Sequence, residues 1–383
     1  MKKMKKTLKS SKSRAASPSS IAERTTLSKD VIMDIFLRLP TKSLCILRSV
    51  CKQWRIIIDD PFFKSLHIKK SSQKPNLLLL QKKSYRRCII YGTSTTKLTL
   101  SSIDFEGNHN FDFTFTLDGY VNMLPSKSEL ICFVSTQGFY VCNPSTQELV
   151  KLPKSHFCDV KDGSAFGYIK ERNEYVLVNA RCINYEIGCE VLRWTDGCSL
   201  KDCYWWVVSS KCPCYLRLWG ILIENSCYWI GYNDKYDNTK IDAIVSFDLG
   251  KEEFSTVVLP EGRFDPAGVW FLVELKGLLC LVDSPEDESS MDIWVFKDPK
   301  NHIWAKEYII DLSMFEFGFD FITPLDYRDG KILMDVKFES LVWYDVEKKC
   351  FKKIDNLTSR RWRWSVLYTD GLFSLGSRYV GGV

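Results

Sequence analysis

The chain has 383 residues, 45% of them hydrophobic and 14% aromatic, enough for one large domain with its own core and a small one beside it. No run of eighteen apolar residues occurs and the basic N-terminus has no apolar segment or cleavage site, so neither a membrane span nor a secretory leader is expected. The net charge of +6 is local: residues 1–14 hold seven Lys or Arg and no acid, which leaves the remainder near −1 and argues against a basic nucleic-acid surface.

Residues 1–26 are Lys- and Ser-rich with few apolar side chains, and a disordered basic tail is expected there. Lys2-Lys3-x-Lys5-Lys6 could be read as a nuclear import signal, but a solvated basic tail is the favoured reading. The densest apolar pattern follows in residues 27–63. Val31, Ile32, Ile35, Phe36 and Leu39 share the spacing of one helix face, which predicts a helix over 30–39 with Ser28 as N-cap and Pro40 as its stop. Thr41 can cap a second helix carrying Leu44, Leu47 and Val50. A third, from about Ser49, carries Trp54, Ile57 and Ile58 and ends at Asp59-Asp60-Pro61. Three helices of this size cannot enclose a core of their own. Their apolar stripe must be covered by the rest of the chain, as in an ordinary helical subdomain, or by another protein.

Leu27, Asp30, Ile35, Arg38-Leu39-Pro40, Lys42-Ser43-Leu44, Arg48, Val50-Cys51-Lys52, Trp54 and Asp60-Pro61-x-Phe63 form a pattern that resembles the F-box over nearly the whole stretch. Ser28 stands where that family has a proline, and Ile46 where a basic residue is common. The resemblance implies docking onto a small adaptor of the Skp family, and through it onto a cullin-RING ubiquitin ligase. The positions it assigns to the adaptor face are Leu27, Ile35, Leu39, Pro40, Leu44, Val50, Cys51 and Trp54. It also implies a cytoplasmic and/or nuclear protein, in which the 15 cysteines are free thiols. Cys182, Cys189, Cys198, Cys203, Cys212, Cys214 and Cys227 are dense, but they lack C-x-x-C spacing and a histidine, so no metal site is expected.

Residues 64–75 read as a polar linker, and residues 76–380 as an all-β domain rich in short Val, Ile, Tyr, Phe and Trp runs. An apolar run recurs, followed by a second run that ends in Asp104, Asn143, Asp196, Asp248, Asp298 or Asp345, spaced 39, 53, 52, 50 and 47 apart. Such a residue can fix a hairpin by accepting from the backbone two residues on. Each unit has a third run after it and a fourth run before it, at 77–80, 120–124, 165–169, 218–223, 269–275 and 321–325. These units predict a propeller-like domain of six blades between about 75 and 356. The runs in 364–375 form a further strand pair that either closes the ring on the first unit or belongs to an extra blade. Asn143 to Thr146 with Lys151-Leu152-Pro153, Ser246-Phe247-Asp248 and Asp292 to Asp298 with Trp304-Ala305-Lys306 resemble the kelch-like, F-box-associated domain of plant receptors.

His67, His109, His156 and His302 lie in no nucleophile or metal context, and G-x-S-x-G, P-loop and G-x-G-x-x-G motifs are missing. No catalytic residue and no cofactor are expected. Alternation should expose one of Trp205 and Trp206, while Trp294, Trp304 and Trp343 read as core. The expected function is that of a non-catalytic substrate receptor whose target is an unidentified protein. Asn233–Lys240, Pro285–Ser290 and Arg263–Trp270 are the candidate target-binding stretches. The alternatives are a binding module outside ubiquitination and, less favoured, a propeller hydrolase.

Overall fold

The computed structural model describes residues 27–88, 93–156, 163–183, 186–233, 241–261, 269–284, 289–315, 322–336, 338–355, 357 and 362–376. The expected basic tail lies outside them. Four helices come first, not three: α1 (Lys29–Phe36), α2 (Thr41–Leu47), α3 (Lys52–Asp59) and α4 (Pro61–Ser71). Ser28 caps α1, accepting from Val31 N at 3.4 Å. The fourth helix occupies most of the expected linker. Asp60-Pro61, read from sequence as a stop, is a start: Asp60 accepts from Phe62 N at 2.9 Å and Pro61 fills the first helical position. Phe63 and His67, one turn apart, are the buried face of α4. Thr41 does not cap α2. It is the first residue of that helix, and its N–H donates at 3.1 Å to Asp370, 329 residues away.

The rest is strand. The chain lays down β1 (Asn76–Cys88), β2 (Thr93–Ile103), β3 (His109–Asp118), then β4 (Val121–Met123), β5 (Ile131–Ser135), β6 (Gly138–Asn143), β7 (Glu148–Lys151). Next come β8 (Ser164–Ile169), β9 (Glu174–Ile183), β10 (Glu186–Thr195), β11 (Trp206–Val208), β12 (Tyr215–Ile223), β13 (Ser226–Tyr232), β14 (Ala243–Asp248) and β15 (Glu253–Val257). The remainder are β16 (Val269–Leu275), β17 (Leu278–Ser284), β18 (Ser290–Asp298), β19 (Ile303–Asp311), β20 (Ile322–Arg328), β21 (Lys331–Val336), β22 (Ser340–Asp345), β23 (Cys350–Lys353) and β24 (Trp364–Tyr368).

Four separate four-stranded sheets form, β4 to β7, β16 to β19, β20 to β23, and β24-β1-β2-β3. The expectation of six separate blades is not met, because β8 to β15 join in a single eight-stranded sheet. The joint is one parallel pairing, Gly220 opposite Ala165, between β12 and β8. Small residues let the two backbones meet there, and a Cβ on Gly220 would lie 2.3 Å from the Trp229 indole nitrogen. The end of the chain closes the ring. Asn76 to Leu80 of β1 pair antiparallel with Tyr368 to Trp364 of β24. The first unit therefore takes its innermost strand from the C-terminus, and the Leu77 to Leu80 run is the front of β1, not a strand of its own.

The turn acids do what their spacing suggests in five units. Asp104 accepts from Glu106 N at 3.0 Å, Asn143 from Ser145 N at 3.0 Å, Asp248 from Gly250 N at 2.7 Å, Asp298 from Lys300 N at 2.9 Å and Asp345 from Lys348 N at 3.0 Å. Asn143 does more: its amide nitrogen donates to the carbonyls of Gly371 at 3.2 Å and Phe373 at 2.9 Å. Residues 369–376 are thus a strap laid over this turn, not the strand pair expected for 364–375. An aspartate could fix the turn but has no donor for the strap. Asn143→Asp is expected to destabilise the protein by about 1–3 kcal/mol, read as an earlier urea midpoint with an unchanged slope.

Candidate partner-binding face

Phe36, Leu44, Ile57, Ile58 and Phe63 make the core of the helical unit, and the propeller end contributes Leu372 to it. Trp54 packs edge-on against Phe36, ring centroids 5.4 Å apart, and Phe36 in turn against Phe63 at 6.5 Å. His67 donates from Nε2 to the Leu39 carbonyl at 3.2 Å, and burial, its largest influence, lowers its pKa, so the ring is held neutral. Arg48 pairs with Asp59 at 2.6 Å, tying α3 to the end of α2.

On the outside, Leu27, Val31 and Ile35 are 58%, 45% and 43% exposed. Val31 and Ile35 lie one turn apart and share one side of α1, and Leu27 precedes its N-cap. Val50, after α2, is equally bare, and Ile46, Ile56 and Phe62 add to the exposed apolar surface of the unit. Of the sequence-predicted positions, Leu27, Ile35, Pro40, Val50 and Cys51 are exposed, while Leu39 and Trp54 are half-buried against the core. Leu44 is a correction: it is wholly buried in the chain's own helical core and has no surface to offer. Val31, Ile46, Ile56 and Phe62 were missed as surface positions. Val31 stands five residues before Phe36, about 140° round the helix, which could have flagged it as lying off the packed face, but only the structure separates the two faces of so apolar a segment.

The unit is seated on the propeller by its other side. Lys64 of α4 pairs with Asp196 at 2.8 Å. Asp196 is the one turn acid that leaves its expected role, and its other oxygen accepts from Ser374 N at 3.3 Å. Glu148 accepts from Ser374 Oγ at 3.2 Å and Leu375 N at 2.8 Å. Glu129 accepts from Phe373 N at 3.1 Å and is half-buried; desolvation, against the help of that N–H, pushes its pKa up to about 7, with the negative charge of Asp196 adding to the rise.

Trp205 is buried and donates to the Pro153 carbonyl at 3.0 Å, while Trp206 is exposed at the sheet edge, as alternation requires. Trp294, Trp304 and Trp343 pack against core clusters. The described cysteines are free thiols, and no cluster of three or more metal-ligating side chains occurs among the described residues. No helix among them is long and apolar enough to cross a membrane. The three candidate target-binding stretches lie for most of their length outside the described residues.

A family model described as the F-box associated β-propeller domain matches residues 77–359, and one for the F-box domain matches residues 25–66. The chain is 27% identical over 363 residues to the F-box protein CPR1 of Arabidopsis thaliana, covering 85% of this chain and 83% of that one. It is 26% identical over 295 residues to the F-box protein At5g18160 of the same plant, covering 75% and 71%. Among solved structures, an oligogalacturonate lyase of Vibrio parahaemolyticus aligns with a TM-score of 0.39 at 9% identity, over 73% of this chain and 86% of that one.

Two outcomes follow from this geometry. Leu44→Asp is expected to abolish the cooperative melt of the full chain, whereas Val50→Asp leaves stability within about 0.5 kcal/mol. Because the Glu129 carboxyl titrates higher folded than unfolded, stability is fullest below about pH 4.5 and falls as pH rises through about 7. Glu129→Gln is expected to remove that loss, about 3 kcal/mol at most, so the variant gains on the wild type between pH 5 and 8 in chemical denaturation.

Proposed function

Since the chain belongs to the F-box proteins that carry an F-box-associated β-propeller, we propose that it is the substrate-recognition subunit of a Skp-cullin-F-box type ubiquitin ligase. The observation that carries this reading is the bare apolar side of the helical unit. Leu27, Val31, Ile35 and Val50 face solvent on a segment whose other side packs into its own core and onto Leu372 and Asp196 of the propeller end. Burying such side chains under an adaptor at roughly 1.5–3 kcal/mol each outweighs the cost of association.

The topology supports a division of labour between two ends of the propeller. Asp196, Glu148 and the strap sit where β10, β6 and β24 end, and α4 is seated there. The connections from β13 to β14, from β15 to β16 and from β17 to β18 leave from the opposite end, because the strands of each unit alternate in direction. That end takes the target protein. No step of catalysis is assigned to this chain. It raises the effective concentration of target lysines beside an enzyme carried by other subunits. Cytosol or nucleus suits its free thiols. A binding module acting outside ubiquitination is the second reading, and it shares the adaptor face but not the cullin.

Val31→Glu with Ile35→Glu is expected to lower affinity for a purified Skp-family adaptor at least a hundredfold, on the order of two hot-spot losses, with circular dichroism and melting temperature kept. Undiminished adaptor binding by that variant removes the proposal. Adaptor binding by the wild type without co-migration of a cullin selects the second reading.

A further inference from the structure

The innermost strands β4, β8, β12, β16, β20 and β24 do not fill the axis they surround. They and α4 line a cavity of about 1450 Å³, in a protein class whose interiors hold few voids larger than a water molecule. Its walls are rich in rings. Tyr168, Trp219, Phe271 and Trp364 line it, and each keeps part of its surface uncovered by protein. Such half-covered aromatic walls suit a flat apolar guest.

Several charges along the wall are matched, whereas Glu129 and Asp335, which also line it, have hydrogen-bond donors but no ion pair among the described residues. Lys127 reaches the Glu274 carboxylate at 2.7 Å and that of Asp326 at 3.7 Å, and Lys64 holds Asp196. Two cations differ. Lys69 on α4 and Lys170 in the turn after β8 both line the cavity, both are exposed, and neither makes an ion pair among the described residues. Glu224, exposed at the turn after β12, also lines it and disfavours an anion on its side. We infer that the cavity is a binding site for a small molecule with a flat, ring-bearing apolar body and one acidic group, its body against Trp219, Phe271 and Trp364 and its anion toward Lys69 and Lys170. The guest touches the helical unit and the propeller together, so its binding energy also holds those two parts against each other. This site goes beyond the receptor role and does not depend on the adaptor.

The test is titration of the full chain, carrying Val31→Glu and Ile35→Glu to remove the exposed helical face, with two probes at 150 mM salt. One is 8-anilinonaphthalene-1-sulfonate, and the other is the uncharged N-phenyl-1-naphthylamine. Each is expected to fill one saturable site. Leu325→Trp with Val366→Trp, which places two indoles in the space, is expected to weaken both at least tenfold with the melting temperature kept. If that pair fails to fold, Trp219→Ala serves instead and is expected to weaken both about fivefold. Lys69→Glu with Lys170→Glu is expected to weaken the sulfonate at least tenfold and the uncharged probe less than twofold. No saturable site in the parent chain, or unchanged affinity after filling the cavity or removing Trp219, overturns the assignment. Equal weakening of the two probes by the lysine changes overturns its acidic part.

Discussion

Everything in this molecule is tied through its last described residues. Thr369 to Gly376 leave β24 and run between the helical unit and the propeller, and consecutive side chains go to different interiors. Leu372 enters the helical core, while Phe373 and Leu375 enter a propeller core that also holds Phe166 and Tyr175. The backbone of the same strap is taken up by Asn143, Glu129, Glu148 and Asp196. Asp370 completes it by capping α2, whose own N-cap is a proline with nothing to donate to or accept from. A helical unit too small to stand alone is thereby made rigid from behind, which frees its front for a partner.

That arrangement has an electrostatic cost. Four carboxylates converge on the strap, and only Lys64 forms an ion pair with one of them among the described residues. Backbone N–H groups do most of the remaining compensation, as they do at helix N-termini. Glu129, desolvated where it meets the strap, holds its proton more tightly than a free glutamate. Such a site is tolerated because each carboxylate has at least one fixed donor, and a buried group without one would cost more than the strap returns.

Much of this was legible in the residues, and the failures are physical ones. The turn acids reported the hairpins because a side chain bonding two or three residues ahead is a local event, and five of them do that. Asp196 obeys the same spacing yet serves Lys64, a residue 132 positions away, and no local pattern contains that. The preference for asparagine at 143 was visible as an exception but had no meaning until the strap was placed. Asp60-Pro61 is a case of ambiguous punctuation, since the pair ends one helix and begins the next. The low amphipathicity of α4, with only Phe63 and His67 fully buried, hid it inside a polar stretch. Periodicity put Leu44 and Val50 on the same list of apolar positions; burial is decided by neighbours in space, and it separates them completely. The joined sheet was out of reach for the same reason, since one glycine facing one alanine decides it.

The seam between β1 and β24 sets an order of events during synthesis. A ribosome releases the helical segment first, and Asp370, which holds the Thr41 N–H, follows 329 residues later with Leu372 close behind. Until then the segment that later greets a partner is oily on both sides, and the ring stands open along Leu77 to Leu80. Products terminated before the strap therefore leave the ribosome as clients for chaperones. The helical unit is in this sense a check on the strap, because its core closes only once Leu372 is in place.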